Sequence, residues 1–101
     1  MSEKFFRLIG LAKRAGKTDG GEFICKQSIK SKKAKLVIIA QDASQNTKKS
    51  IKNSCAFYKV GYIECANMQD LGKFTGGGER AVISINDENL ANAIKEAKTS
   101  L

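Results

Sequence analysis

One uninterrupted apolar run, Leu36-Val37-Ile38-Ile39-Ala40, constrains the fold more than any other segment. Lys35 closes it on one side and Gln41-Asp42 on the other. A run this short and this rich in β-branched residues reads as a strand. No polar residue alternates within it, so neither face of that strand can meet water. It predicts a central strand with helices packed above and below.

The flanking sequence supplies those helices. Phe5, Leu8, Ile9, Ala12 and Ala15 recur at helical spacing over residues 3–15, with Ser2 placed to cap the start and Gly16 the end. Residues 17–19 read as a short edge strand. After Gly20-Gly21 a second helix is expected over residues 21–32, with Ile24, Cys25, Ser28 and Ile29 on its apolar side. Ser44 can cap a third helix over residues 45–58, where Thr47, Ile51, Cys55 and Tyr58 form the stripe. Val60–Glu64 and Ala81–Ile85 read as strands, and Asn67 can cap a short helix holding Met68 and Leu71. Asp87 can start a final helix carrying Leu90, Ile94, Ala97 and Leu101. Strand, helix and strand over residues 36–64 allow a right-handed βαβ unit. The expected class is α/β.

The chain has 101 residues, 42% of them hydrophobic, enough for one small core. No linker, repeat or low-complexity segment divides it, so a single domain over residues 1–101 is expected. The net charge is +8. Residues 1–53 hold 13 basic and 4 acidic side chains, whereas residues 54–101 hold 5 and 6. The whole excess lies in the first half, which favours a polyanionic partner over a generally solvated surface.

There is no His, which removes the commonest general base and metal ligand. Cys25, Cys55 and Cys65 have no metal-ligand spacing, so they read as reduced structural thiols and no metal or cofactor is expected. Met1-Ser2-Glu3-Lys4 opens neither a signal peptide nor a membrane span, and a cytoplasmic protein with no membrane partner is expected.

Four segments invite a chemical reading. Gly16-Lys17-Thr18 resembles the end of a phosphate-binding loop, but the first glycine of that motif would fall on Leu11, and a helix precedes it instead of a strand. A helix C-cap followed by a lysine is the simpler reading. Asp42, Asp70, Asp87 and Glu88 sit where helix caps and first turns are expected, and with no partner base they identify no enzyme. Gly76-Gly77-Gly78-Glu79-Arg80 can cradle an anion or simply turn. The Gly20-Gly21-Glu22 helix start offers unpaired N–H groups and close backbone approach. Lys17, Lys26, Lys30, Lys32, Lys33 and Lys35 follow nearby.

The run from Gly21 through Lys33-Ala34-Lys35-Leu36-Val37-Ile38-Ile39-Ala40-Gln41-Asp42-Ala43-Ser44 resembles the ribosomal L7Ae/L30e superfamily of kink-turn RNA-binding proteins. Cys55, Tyr58-Lys59-Val60, Tyr62-Ile63 and Leu71-Gly72-Lys73 add to the likeness. The opening Leu8-Ile9-Gly10-Leu11-Ala12-Lys13-Arg14-Ala15-Gly16-Lys17 is similar to the start of its small bacterial, ribosomal-protein-like branch. The resemblance implies a three-layer α-β-α sandwich with a mixed four-stranded sheet. It also implies non-enzymatic binding of a sharply bent RNA, with the start of the second helix in the widened groove and the loop before the last strand on extruded bases.

In an ungapped register the family's helix-start glycine falls on Gly21, and its Asn, Glu and Lys positions fall on Phe23, Ile24 and Gln27. A register shifted by one residue instead places Gly20, Glu22, Phe23 and Lys26 there. The expected contact set is Gly20, Gly21, Glu22, Phe23, Ile24 and Gln27, with Lys17, Lys30, Lys32 and Lys33 on phosphates. Gly78, Glu79 and Arg80 form the second loop. Phe23 stacks on a base if it is exposed and belongs to the core if it is not. The implied partner is structured RNA, kink-turn or ribosomal, bound by a monomer, with ribosome association one form of this. The alternative is a protein-interaction adaptor that keeps the fold without specific RNA binding. A nucleotide binder built on Gly16-Lys17-Thr18 or the triple glycine is the third option.

Overall fold

A computed structural model describes residues 2–99, with side chains through residue 98. The elements are α1 (Glu3–Arg14), β1 (Thr18–Gly20), α2 (Glu22–Lys30), β2 (Leu36–Ile39), α3 (Gln45–Tyr58), β3 (Tyr62–Glu64), α4 (Met68–Phe74), β4 (Val82–Ile85) and α5 (Glu88–Thr99). Each expected cap forms. The oxygens of Ser2, Ser44 and Asn67 accept from the amides of Phe5, Thr47 and Asp70, and Asp87 accepts from Leu90. Asp42 behaves differently: it caps α4 from outside, accepting the Met68 amide at 2.8 Å. Leu101, the last position of the C-terminal stripe, lies outside the described residues.

The end of α1 settles the Gly16-Lys17-Thr18 segment. Gly16 has φ +71°, its amide donates to Lys13 O at 3.0 Å, and the Lys17 amide donates to Ala12 O at 2.9 Å. Those two crossed bonds close a helix through a left-handed glycine. This segment is a helix terminus, so its geometry is not that of a phosphate loop following a strand.

The sheet order is β1-β4-β2-β3. β4 runs antiparallel to both β1 and β2, while β2 and β3 are parallel. Register aligns Asp19, Ser84, Val37 and Tyr62 across the strands on one face. Leu36, Ile38, Ile83 and Ile85 form the other face. Every residue of β2 and β4 is buried, as a strand covered on both sides requires. α2 packs on α3 over the first face, while α1 packs on α5 and α4 over the second. The fold is thus an α/β sandwich with a small mixed sheet. Phe5, Ile9, Ile29, Leu36, Ile38, Ile51, Leu71, Ile83 and Ile94 are fully buried within it. Full burial of such side chains is worth about 1.5–3 kcal/mol each before entropy.

One expectation about α2 fails. Cys25, Ser28 and Ile29 are buried, but Ile24 is 43% exposed. At 3.6 residues per turn the buried three span an arc of about 100°, and Ile24 falls about 40° beyond its edge. No described helix is long and apolar enough to cross a membrane.

A polar cluster fastens β1 to this layer. Asp19 Oδ2 accepts from Ser28 Oγ and from Asn86 Nδ2 at 2.9 Å, and Lys33 Nζ lies 3.6 Å away. Asn86 Oδ1 in turn accepts from the buried Ser84 hydroxyl at 3.0 Å. Partial burial pushes the Asp19 pKa up, but the Ser28 and Asn86 hydrogen bonds and the Lys33 charge bring it below its ordinary value of 3.8. The three cysteines are buried free thiols. Burial pushes Cys25 up to about 12 and Cys55 up to about 11.

Two outcomes follow. Asp19→Ala should lower stability by about 1–3 kcal/mol, because it strands the donors of Ser28 and Asn86. The wild-type advantage over Asp19→Asn should be complete above the unfolded carboxylate range. It should disappear as pH falls through the lowered native value, because Asp19 is then protonated in both states. Urea titrations between pH 7 and pH 2 measure both. Separately, a disulfide-exchange reagent at pH 8 should label the native thiols far more slowly than those of urea-unfolded protein.

Candidate nucleic-acid interface

Two glycine-rich segments meet at the C-terminal end of β1 and the N-terminal end of β4. The first opens α2. Gly21 has φ +95° and ψ 153°, a region that residues with a Cβ rarely enter. A Cβ built there meets nothing within 4 Å, so glycine is needed for conformation and not for room. The Gly21 amide donates to Val82 O at 3.0 Å, which pins the helix start to β4. No side chain caps α2, so its first amides are left without a side-chain partner.

Phe23, on the first turn, is 70% exposed. With Ile24 beside it and exposed Gln27 one turn further, an apolar ridge faces solvent where core packing would be the default. Glu22 is turned away from this ridge. Its Oε1 accepts from Thr47 Oγ1 at 2.8 Å, and its Oε2 lies 3.8 Å from Lys26 Nζ. Glu22 therefore ties α2 to the first turn of α3 in addition to standing at the helix start.

The second segment runs from the end of α4 to β4. Thr75 Oγ1 donates to Leu71 O at 2.7 Å, the Gly77 amide to Gly72 O at 3.0 Å, and the Arg80 amide to Met68 O at 3.0 Å. Gly72 makes this fold-back possible, since a Cβ there would lie 2.0 Å from Gly78 O. Arg80 then joins the two segments. Its guanidinium end lies so close to Gly20 and Gly77 that Cβ atoms at those positions would fall 2.8 Å from Nε and 2.5 Å from Nη2. Among the described residues no carboxylate is within ion-pair distance of Arg80. Gly78 and Glu79 are exposed at the tip.

The candidate residues divide into two groups. Gly20, Gly21, Glu22, Phe23, Gly78, Glu79 and Arg80 share one end of the sheet. Lys17, Lys30, Lys32 and Lys33 belong to the other. Lys17 O accepts from the Asn86 amide beyond β4, Lys30 lies in the last turn of α2, Lys32 Nζ reaches Tyr58 O at the end of α3, and Lys33 pairs with Asp19. The length of α2, about 14 Å for nine residues, separates these lysines from Gly21. Proximity in sequence suggested one cluster, and the intervening helix separates it. Ile24 and Gln27 lie between the two groups. Among the described residues no cluster could hold a metal ion. Gly72 and Thr47 were not candidates from sequence. The signals for the first were an isolated glycine inside a helical stretch and its place in Leu71-Gly72-Lys73, one of the segments carrying the family resemblance.

The Ribosomal protein L7Ae/L30e/S12e/Gadd45 family matches residues 3–96. A protein from Bacillus subtilis (strain 168) named RNA-binding protein YlxQ is 37% identical over 91 residues, covering 90% of this chain and 91% of its own. One of the same name from Enterococcus faecium is 39% identical over 94 residues, covering 93% and 90%. A solved structure of a protein with unknown function from Bacillus halodurans C superposes with a TM-score of 0.89 at 30% identity, covering 94% of this chain and 96% of its own. The Giardia lamblia 15.5kD RNA binding protein superposes with a TM-score of 0.77 at 20% identity, over 99% and 89%. This last likeness is one of fold.

Gly21→Ala should cost about 1–3 kcal/mol through backbone strain alone. Gly72→Ala should cost at least as much, because backbone rather than a flexible side chain stands in its way. Gly20→Ala should be nearly neutral, since the Arg80 side chain can move aside. Urea unfolding of the three variants checks this order.

Proposed function

The chain belongs to the ribosomal protein L7Ae/L30e/S12e/Gadd45 family, and from that membership we propose that it is a non-enzymatic RNA-binding protein that recognises sharply bent, structured RNA of the kink-turn type, ribosomal RNA included. The observation carrying this reading is the joined surface of Gly21, Phe23 and Arg80. An open helix start, an exposed aromatic ring and an arginine with no carboxylate partner among the described residues converge there from two distant chain segments.

Each part has a physical role in this reading. The uncapped first amides of α2 and the positive end of its dipole receive a phosphate or a base edge. Arg80 adds a planar cation that can stack on a base or grip a phosphate. Phe23 offers its ring to a base freed from the stack at the bend, a contact worth about 1–3 kcal/mol. In the ungapped register Phe23, Ile24 and Gln27 take the places of the family's Asn, Glu and Lys, and recognition then leans on stacking and shape more than on polar reading of base edges. Lys30, in the last turn of α2, and Lys33, just beyond it, meet phosphates of the flanking stem. The protein acts as a cytoplasmic monomer in this reading.

Titration of a kink-turn RNA against a duplex of equal length is the test. Binding to the kink-turn should be at least about tenfold tighter, and Phe23→Ala should erase most of that preference. Lys30→Ala should weaken both RNAs alike and reduce the salt slope by about one unit. Equal affinity for both RNAs contradicts structure-specific recognition. The adaptor reading draws on the same apolar ridge of Phe23 and Ile24, and absence of RNA binding at physiological salt would favour it.

A further inference from the structure

The opposite end of the molecule carries a second surface with a different composition. The C-termini of α2 and α3 converge there, and each ends on a lysine in the left-handed region, Lys32 with φ 64° and Lys59 with φ 59°. Glycine adopts that conformation without strain and is the usual residue at such helix ends. Lysine at both places adds charge where conformation alone favours none. Lys32 Nζ reaches across to Tyr58 O, and Lys35 Nζ donates to Lys32 O at 3.2 Å. Lys32, Lys35 and Lys59 line one shallow depression together with Val60, Gly61 and Glu88.

Two exposed aromatic rings lie close in sequence to the lining residues of this depression, Phe57 two positions before Lys59 and Tyr62 next to Gly61. Phe57 is 78% exposed and packs edge-on to Tyr58, with ring centroids 4.8 Å apart. Tyr62, at the start of edge strand β3, is 43% exposed, and Lys52 Nζ lies 5.9 Å from its ring centre. Lys48 and Lys52 are balanced by Glu64, at 3.1 and 2.8 Å. Against Lys32, Lys35 and Lys59 the depression sets only Glu88. The result is a net positive hollow whose lining continues in sequence into exposed Phe57 and Tyr62, far from the Gly21 end.

We propose that this surface is a second RNA contact, taking a single-stranded segment whose phosphates meet Lys32, Lys35 and Lys59 while its bases stack on Phe57 and Tyr62. The proposal rests on reading the chain as an RNA binder, but it does not require the kink-turn preference. Basic grooves lined with aromatic rings bind single strands with little sequence preference, because every base has a stacking face. A duplex hides its base faces and gains only the lysines. The excess of lysine over carboxylate favours a polyanion over a protein surface of ordinary charge. A longer RNA with an unpaired tail could engage both ends of the protein at once, and its second contact would then gain from effective concentration.

Fluorescence anisotropy with a labelled oligouridylate tests this in the full chain. The wild type should bind it in a salt-dependent manner. Phe57→Ala should weaken it about tenfold, and Phe57→Tyr should retain most of the affinity. Lys59→Gly removes a charge while relieving backbone strain, so it should weaken binding while raising the melting temperature. None of these changes should alter affinity for a compact kink-turn RNA lacking unpaired tails. The proposal is overturned if the wild type ignores oligouridylate, or if folded Phe57→Ala binds it as the wild type does. It is also overturned if Phe57→Ala abolishes a protein–protein association while leaving the oligouridylate titration unchanged. Loss of the kink-turn preference with retained oligouridylate binding would count against the reading of the Gly21 end and support this one.

Discussion

The close approach of three backbone stretches around Arg80 holds the candidate surface together. Gly72 lets the loop after α4 fold onto its own helix. Gly77 and Gly20 then present bare backbone to the two sides of one arginine side chain. These approaches add to the bond from the Gly21 amide to Val82 O in tying the start of α2 to the loop before β4. Joined, they form one preformed surface, which in the proposed RNA-binding reading loses less conformational entropy on association.

Charge contributes differently. The first half of the chain carries the entire positive excess, but α2 distributes it. Lys30, Lys32 and Lys33 gather where the helix dipole is negative, and Lys32 donates to the Tyr58 carbonyl at the end of α3. At the Gly21 end stand Arg80, a Lys26 already paired with Glu22, and Lys13, whose side chain comes within 3.7 Å of a Cβ built on Gly76. In the proposed reading, long-range attraction of RNA and recognition of its shape fall to different ends of one helix. A phosphate-only account would predict no loss on removing Phe23.

What could be read from sequence was mostly local. Ser2, Ser44, Asn67 and Asp87 were recognisable as caps because a cap bonds within its own first turn. The run from Leu36 was recognisable because burial on both faces leaves no polar position in it. Ile24 was misplaced because the width of the buried arc depends on what α2 packs against. The lysines were grouped with Gly21 because sequence distance ignores the axial rise of a helix. Arg80 and Gly20 are 60 residues apart, and nothing local to either shows that one lies over the other. Gly72 carried a signal, but its reason, the carbonyl of Gly78, became visible only with the fold-back in place.

The most direct measurement is amide chemical-shift mapping on addition of a kink-turn RNA. Shifts should concentrate in residues 20–24 and 76–80 together, saturating at one stoichiometry, with α1 and α5 unaffected. Shifts confined to only one of the two segments, or centred on α1 and α5, would contradict the claim that Arg80 and its glycines make them a single recognition surface.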